Sequence, residues 1–170
     1  MLNHKFPLTR ILFVLYGAFI LWAVLFKTTF SFADIAGLVR PRSLNLIPFY
    51  YECDVSIRFH IEEVLLNVLL FFPFGVYLKL LNLPSRRSIL TGFLFSLTLE
   101  LCQFAFALGA CDITDLITNT SGTAVGVCLY LLLVKLFKNQ TAVNQFLRIS
   151  ALTATILLGI LILLIYLGNT

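Results

Sequence analysis

The chain is 170 residues long, 60% hydrophobic and 12% charged, with 12 Lys and Arg against 8 Asp and Glu; its mean hydropathy is +1.00. A soluble domain of this length needs far more polar surface to cover its core. The composition therefore excludes a soluble globule and indicates an integral membrane protein. No nucleic-acid partner is expected.

Five apolar segments are long enough to cross a hydrocarbon layer of roughly 30 Å, which takes about 20 residues each. They lie near 11–30, 61–81, 88–108, 114–137 and 149–168. Lipid offers no partners for free backbone groups and no alternating segments suggest a barrel, so the spans are expected to be helices. The expected fold is all-α, a single-domain polytopic bundle of about five transmembrane helices over residues 1–170.

The first segment follows Lys5 and Arg10, and Ser31-Phe32-Ala33 resembles a weak cleavage site. Its run ILFVLYGAFILWAVLF exceeds a usual signal core, however, and reads as a retained signal-anchor helix. Residues 31–60 form a long loop holding RPRSLNLIPFYY, whose prolines interrupt helix and whose aromatics suit the membrane interface. In the second span, Pro73 within Phe72-Pro73-Phe74-Gly75 is expected to interrupt the helix. The 82–88 and 138–148 segments read as short basic turns, and the last span carries no ionisable residue. The four cysteines have no C-x-x-C spacing, so a zinc site is not expected. Cys53 and Cys111 fall in loops on one side, and whether they pair stays open.

Charge sets the expected orientation. A cytoplasmic N-terminus puts Lys5, Arg10, Lys79, Arg86, Arg87, Lys135, Lys138 and Arg148 inside. Only Lys27, Arg40, Arg42 and Arg58 remain outside. The positive-inside rule thus gives a multi-pass plasma-membrane protein with its N-terminus in and C-terminus out.

The strongly polar residues inside spans then agree on depth. At 1.5 Å per residue, Asn67 lies about 9 Å below the outer surface, Glu100 about 12 Å, and Gln103 and Asn119 about 8 Å. Asp112 and Asp115 sit above Asn119. Glu100 and Gln103 share a helix face, as do Asp112, Asp115, Asn119, Gly122 and Gly126. His60, Glu63 and Asn67 share another. Small residues such as the two glycines let helices approach closely. A charge near the bilayer centre costs about 2.5–3.5 kcal/mol, so Glu100 should face the bundle interior or a watery cavity. Two readings stand side by side: an outward-facing polar pocket, or interhelical hydrogen bonds worth about 0.6–2 kcal/mol each that only hold the bundle together.

Four motifs, SLNLIPF at 43–49, LLNVLLFFPFG at 65–75, SLTLELCQF at 96–104 and DITDLITNTSGTAVG at 112–126, resemble in order and spacing those of the VanZ-like family. Pro48 belongs to the first motif. Asn67, Pro73, Gly75, Glu100, Gln103, Asp112, Asp115, Asn119 and Gly122 match the family's characteristic positions, and Gly126 closes the last motif. Two positions depart: Leu66 stands where the family usually has Gly, and Gly109 where an Arg commonly precedes the first Asp. Arg58, Arg40 or Arg42 would have to replace that guanidinium. The resemblance implies an envelope membrane protein, since the founding member is associated with low-level resistance to the lipid-tailed glycopeptide teicoplanin.

Three functions compete. One is a binding protein for a membrane lipid, a lipid-linked envelope precursor or the glycopeptide antibiotic itself, using Asn67, Glu100, Gln103, Asp112, Asp115 and Asn119. Another is an intramembrane enzyme on such a lipid, with Glu100 or an Asp as general base, or a divalent cation at Glu100, Asp112 and Asp115. His60 lies outside the family-like motifs and reads as a surface histidine. A proton-coupled transporter is disfavoured, because five helices without a repeat leave little room for alternating access. Whether there is catalysis, and the oligomeric state, stay open.

Overall fold

A computed structural model describes residues 6–25, 43–50, 57–108 and 110–168. Helix α1 (Phe6–Leu25) is followed by strand β1 (Ser43–Asn45), helix α2 (Ile57–Leu80) and helix α3 (Ser85–Ala105). Strand β2 (Ala110–Asp112) leads directly into α4 (Ile113–Phe137), and α5 (Gln140–Gly168) ends the chain. By length and composition, α1 from Pro7, α2, α3 and α4 can each cross a membrane. α5 is 29 residues long. The outer faces stay apolar, with Val14, Leu69, Leu136 and Ile156 all exposed, as a lipid-facing bundle requires.

Several boundaries differ from the sequence expectation because the helices end without glycine. At the end of α2, Asn82 adopts φ 63°, and the N–H groups of Asn82 and Leu83 return to the carbonyls of Lys79 and Leu78. At the end of α3, Ala107 (φ 54°) and Leu108 donate in the same way to Phe104 and Gln103. Both are Schellman caps, built here on Asn and Ala rather than Gly. The third span therefore stops at Ala105, not 108. The expected 138–148 turn is a correction of the same kind. Asn139 Oδ1 accepts the Ala142 N–H (3.0 Å), an N-cap that starts α5 at Gln140, so most of that segment is helix. The first span is described only to Leu25, and 26–30 lie outside the described residues.

α2 is also continuous through Pro73, contrary to the expected interruption. The Tyr16 hydroxyl of α1 donates to the Leu70 carbonyl (2.7 Å), one turn before the proline. A polar group of a neighbouring helix thus serves the backbone around a site where proline removes a donor. Around it Phe13, Phe74 and Phe95 pack with Phe71, Ile20 and Leu99 into one apolar core. Phe74 and Phe95 stack with ring centroids 5.0 Å apart.

The main helix contact is between α2 and α4. A Cβ on Gly122 would strike the Val68 carbonyl, one on Gly126 the Phe72 carbonyl, and one on Gly75 the Thr123 carbonyl. Val68 faces Gly122 and Phe72 faces Gly126, so residue numbers rise together and the two helices run parallel, with α3 as the return segment between them in sequence. Gly92 of α3 meets the Thr123 side chain. Backbones this close gain van der Waals contact that larger residues would prevent. Gly126→Ala should lower the unfolding free energy by about 1–3 kcal/mol in a mixed-micelle denaturation titration. Gly17→Ala, with nothing within 4 Å of the added methyl, should be neutral or slightly stabilising; equal losses at both positions would contradict this account of the crossing.

Candidate functional site

Because α2 and α4 run parallel, both N-termini open at one end of the bundle, and β1 and β2 lie there too. The strands pair in parallel, Ser43 with Ala110, Leu44 with Cys111 and Asn45 with Asp112. Asn45 is the hinge of this small sheet. Its Nδ2 donates to Asp112 Oδ2 (3.0 Å), while its Oδ1 accepts the Ile47 N–H (3.1 Å). That second bond closes an Asx turn. A β-turn follows, with the Tyr50 N–H donating to the Ile47 carbonyl. Pro48 occupies its first central position, and Phe49 takes φ 56° at the second. Proline suits the former, but a left-handed Phe is strained unless its surroundings hold it. They do: the Phe49 N–H donates to Thr114 Oγ1 in the first turn of α4 (3.0 Å).

Asp112 is the N-cap of α4, its Oδ1 accepting the Thr114 N–H (2.7 Å). Glu100, 1% exposed, accepts the Asp112 N–H at Oε2 (2.8 Å). A carboxyl group here meets the positive end of the helix dipole and a backbone donor together. One turn further along α4, Asp115 Oδ1 accepts from Asn67 Nδ2 of α2 (2.7 Å). Asn119, also 1% exposed, donates from Nδ2 to Ser96 Oγ of α3 (3.0 Å). Gln103 donates from Nε2 to the Val24 carbonyl near the end of α1 (3.1 Å).

These residues separate into two groups. Asp112, Thr114 and Asp115 line a cleft of about 320 Å³ with His60, Glu63 and the apolar Phe49, Ile57, Ile61 and Leu65. Asn67, Gln103, Asp115 and Glu63 line a second cleft of about 390 Å³ against Phe19, Leu66 and Leu70. Glu63 and Asp115 belong to both. Glu100 and Asn119 line neither; they sit behind the clefts and join α3 to α4. Among the expected site residues, then, Asn67, Gln103, Asp112 and Asp115 reach a cleft wall.

Sequence reading missed Asn45, Thr114 and Ser96 as polar partners and underrated His60. The histidine lines the first cleft, its Nδ1 3.8 Å from Glu63 Oε2. The i,i+3 spacing of His60 and Glu63 on the helix face that carries Asn67 was the available signal. Arg58 does not replace the missing guanidinium, since it pairs with Glu62 (2.9 Å) on the exposed side of α2. Arg40 and Arg42 lie outside the described residues.

No three His, Cys, Asp or Glu among the described residues are placed to hold a metal ion. The divalent cation considered at Glu100, Asp112 and Asp115 thus finds no cradle, because Asp112 commits both oxygens to Asn45 and Thr114 and Glu100 holds a backbone N–H. Cys102, Cys111 and Cys128 are free thiols, and Cys53 lies outside the described residues.

Parallel apolar helices of spanning length around a polar mouth define an α-helical integral membrane protein. The family model VanZ/LLP1 matches residues 13–138. The chain is 41% identical over 128 residues to Protein VanZ of Enterococcus faecium, covering 72% of this chain and 73% of that relative. It belongs to the VanZ/LLP1 family. No solved structure matches it.

Burial raises the pKa of the Cys111 thiol above its ordinary value, and the neighbouring carboxylates Glu100, Asp112 and Asp115 raise it further. Both effects disfavour the thiolate, which is the reactive form. With the other three cysteines replaced by Ala, Cys111 should react severalfold more slowly with N-ethylmaleimide at pH 7.5 than glutathione does, and catch up as pH rises. Asp112→Asn removes one repelling charge and should accelerate it; an unchanged rate would show that burial alone sets the shift.

Proposed function

We propose that this VanZ-like membrane protein acts at the outer face of the cell envelope, binding a lipid-linked or amphiphilic ligand in the cleft beside Asp112 and Asp115. Through that binding it would contribute to resistance to glycopeptides, and to teicoplanin in particular. The observation that carries the reading is the cleft's mixed lining. Asp112, Thr114, Asp115 and Glu63 line it together with Phe49, Ile57, Ile61 and Leu65. An amphiphile needs both kinds of surface, apolar for its chain and polar for its headgroup.

Charge supports the outward orientation. Lys79, Arg86 and Arg87 flank the α2–α3 connection, and Lys135 and Lys138 lie at the α4–α5 connection. The positive-inside rule puts those connections in the cytoplasm and the opposite end, with the clefts, outside. The relationship to Protein VanZ supports the link to glycopeptides. The partners expected at such a site are a membrane lipid, a lipid-linked envelope precursor or the lipid-tailed drug itself. Binding is favoured over chemistry because the carboxylates first considered for acid–base work are engaged: Glu100 and Asp112 by backbone N–H groups and Asn45, and Asp115 by Asn67.

A second reading, an enzyme acting on the same lipid, draws on His60 and Glu63 in the cleft wall. It requires a chemically altered envelope lipid in expressing cells, detectable by mass spectrometry and lost in His60→Gln.

The test is antibiotic susceptibility of a Gram-positive host carrying wild type, Glu100→Gln or Asp115→Asn at matched membrane levels. Wild type should raise the inhibitory concentration of teicoplanin severalfold and leave vancomycin nearly unchanged, and Asp115→Asn should remove most of that gain. Glu100→Gln, whose remaining amide oxygen can still accept the Asp112 N–H, should keep a larger share. Full protection by Asp115→Asn would mean that the cleft carboxylate is only packing glue.

A further inference from the structure

The end of the bundle away from the two clefts carries cations and no acid. Residues 64–99 and 116–170 contain no Asp or Glu, yet they supply both helix connections at this end. Arg86 and Arg87 flank one connection, and Lys135 and Lys138 lie at the other. All four are exposed, and none forms an ion pair among the described residues. Between the last turn of α4 and the first turns of α5 lies a groove of about 510 Å³, lined by Leu133, Phe137, Ala142, Val143 and Phe146. Lys138 directly follows Phe137, so a cation stands at the rim of an apolar slot. The two walls are tied by a separate set of contacts. Tyr130 of α4 donates its hydroxyl to Asn144 Oδ1 of α5 (2.9 Å) and accepts from Gln140 Nε2 (3.1 Å). Leu132, Leu136 and Ile149 on the same two helices are exposed, as on a surface that faces lipid hydrocarbon.

We propose that this groove binds an anionic phospholipid of the leaflet at this end. One acyl chain lies along Leu133, Phe137, Val143 and Phe146, and the phosphodiester sits beside Lys138 and Lys135. Charge complementarity selects this occupant. An apolar groove within the hydrocarbon layer admits any lipid chain, but a rim of lysines without acids favours a negative headgroup. A second copy of the chain would bring like charges together on that rim. Lysines at a helix C-terminus also offset the helix dipole, but that role needs neither groove nor lipid. The site lies at the opposite end from the clefts, so the inference stands apart from the reading of the polar mouth.

Trp22 is the single tryptophan of the chain, so the full chain with Trp22→Phe and Phe146→Trp carries one indole, in the groove wall. A second version, Trp22→Phe with Leu90→Trp, carries it at an exposed position of α3 a turn beyond Arg86. Each is reconstituted in vesicles of phosphatidylcholine and phosphatidylglycerol, with one lipid or the other bearing a brominated acyl chain that quenches the indole. At 146, phosphatidylglycerol should compete about fivefold better than phosphatidylcholine. At 90, where cations stand without a groove, the preference should be much weaker. Lys135→Gln with Lys138→Gln should make the two lipids equal at 146. Ala142→Phe, which fills the groove, should lower the preference at 146 to the level at 90, with melting temperature confirming the fold of both variants. Equal preferences at 146 and 90, or a preference at 146 that survives either set of substitutions in a folded chain, overturns the assignment. Absence of quenching at 146 by either lipid would put a second copy of the chain in the groove and overturn it as well.

Discussion

The close parallel contact of α2 with α4 is the constraint on which the rest of the structure depends. Gly75, Gly122 and Gly126 let each helix rest on the other's backbone, where any Cβ would meet a carbonyl oxygen. Because the pair is parallel, both helices present their N-termini at one end. That end combines unsatisfied backbone N–H groups with the positive poles of two helix dipoles, which favours acidic side chains. Asp112 and Asp115 on α4 and Glu63 on α2 lie there. The same contact brings Asn67 within reach of Asp115. An antiparallel pair would have separated these groups by the thickness of the membrane.

The buried polar residues then divide by duty. Behind the clefts, Glu100 and Asn119 hold α3 to α4 through the Asp112 N–H and the Ser96 hydroxyl. Each replaces a water contact that lipid cannot offer. In front, Asp115, Glu63 and Gln103 face space large enough for a ligand. The first group makes the second possible, because a wall residue binds usefully only when its helix is held in register. Asp112 belongs to both, capping α4 while forming part of the first cleft.

The segment 43–50 completes the mouth. Its strand pairs with β2 through only three residues, a sheet too small to stand without its surroundings. Asn45 joins it to the α4 cap, and the Phe49 N–H anchors the turn to Thr114. Phe49 is thereby held in a conformation that costs energy at a non-glycine residue, a pattern that concentrates at functional sites.

Residue composition alone established the membrane class, and hydropathy located the four helices long and apolar enough to cross a membrane, because transfer of apolar side chains to lipid depends little on neighbours. The glycine spacing at 122 and 126 and the shared helix faces were legible for a related reason: helical period is a local property. Helix ends were not, since Asn82 and Ala107 adopt left-handed caps that their residue types announce only weakly. Nor was the β1–β2 pairing, which joins segments 67 residues apart in sequence and leaves no periodic trace in three-residue strands. Depth in the bilayer grouped Asn67, Glu100, Gln103, Asp112, Asp115 and Asn119 at one level. All of them engage other elements of the fold, and only the tertiary structure separated those that also line a cleft from Glu100 and Asn119, which do not. Depth follows from position along one helix, whereas the partner of a side chain depends on how several helices rotate and pack against one another.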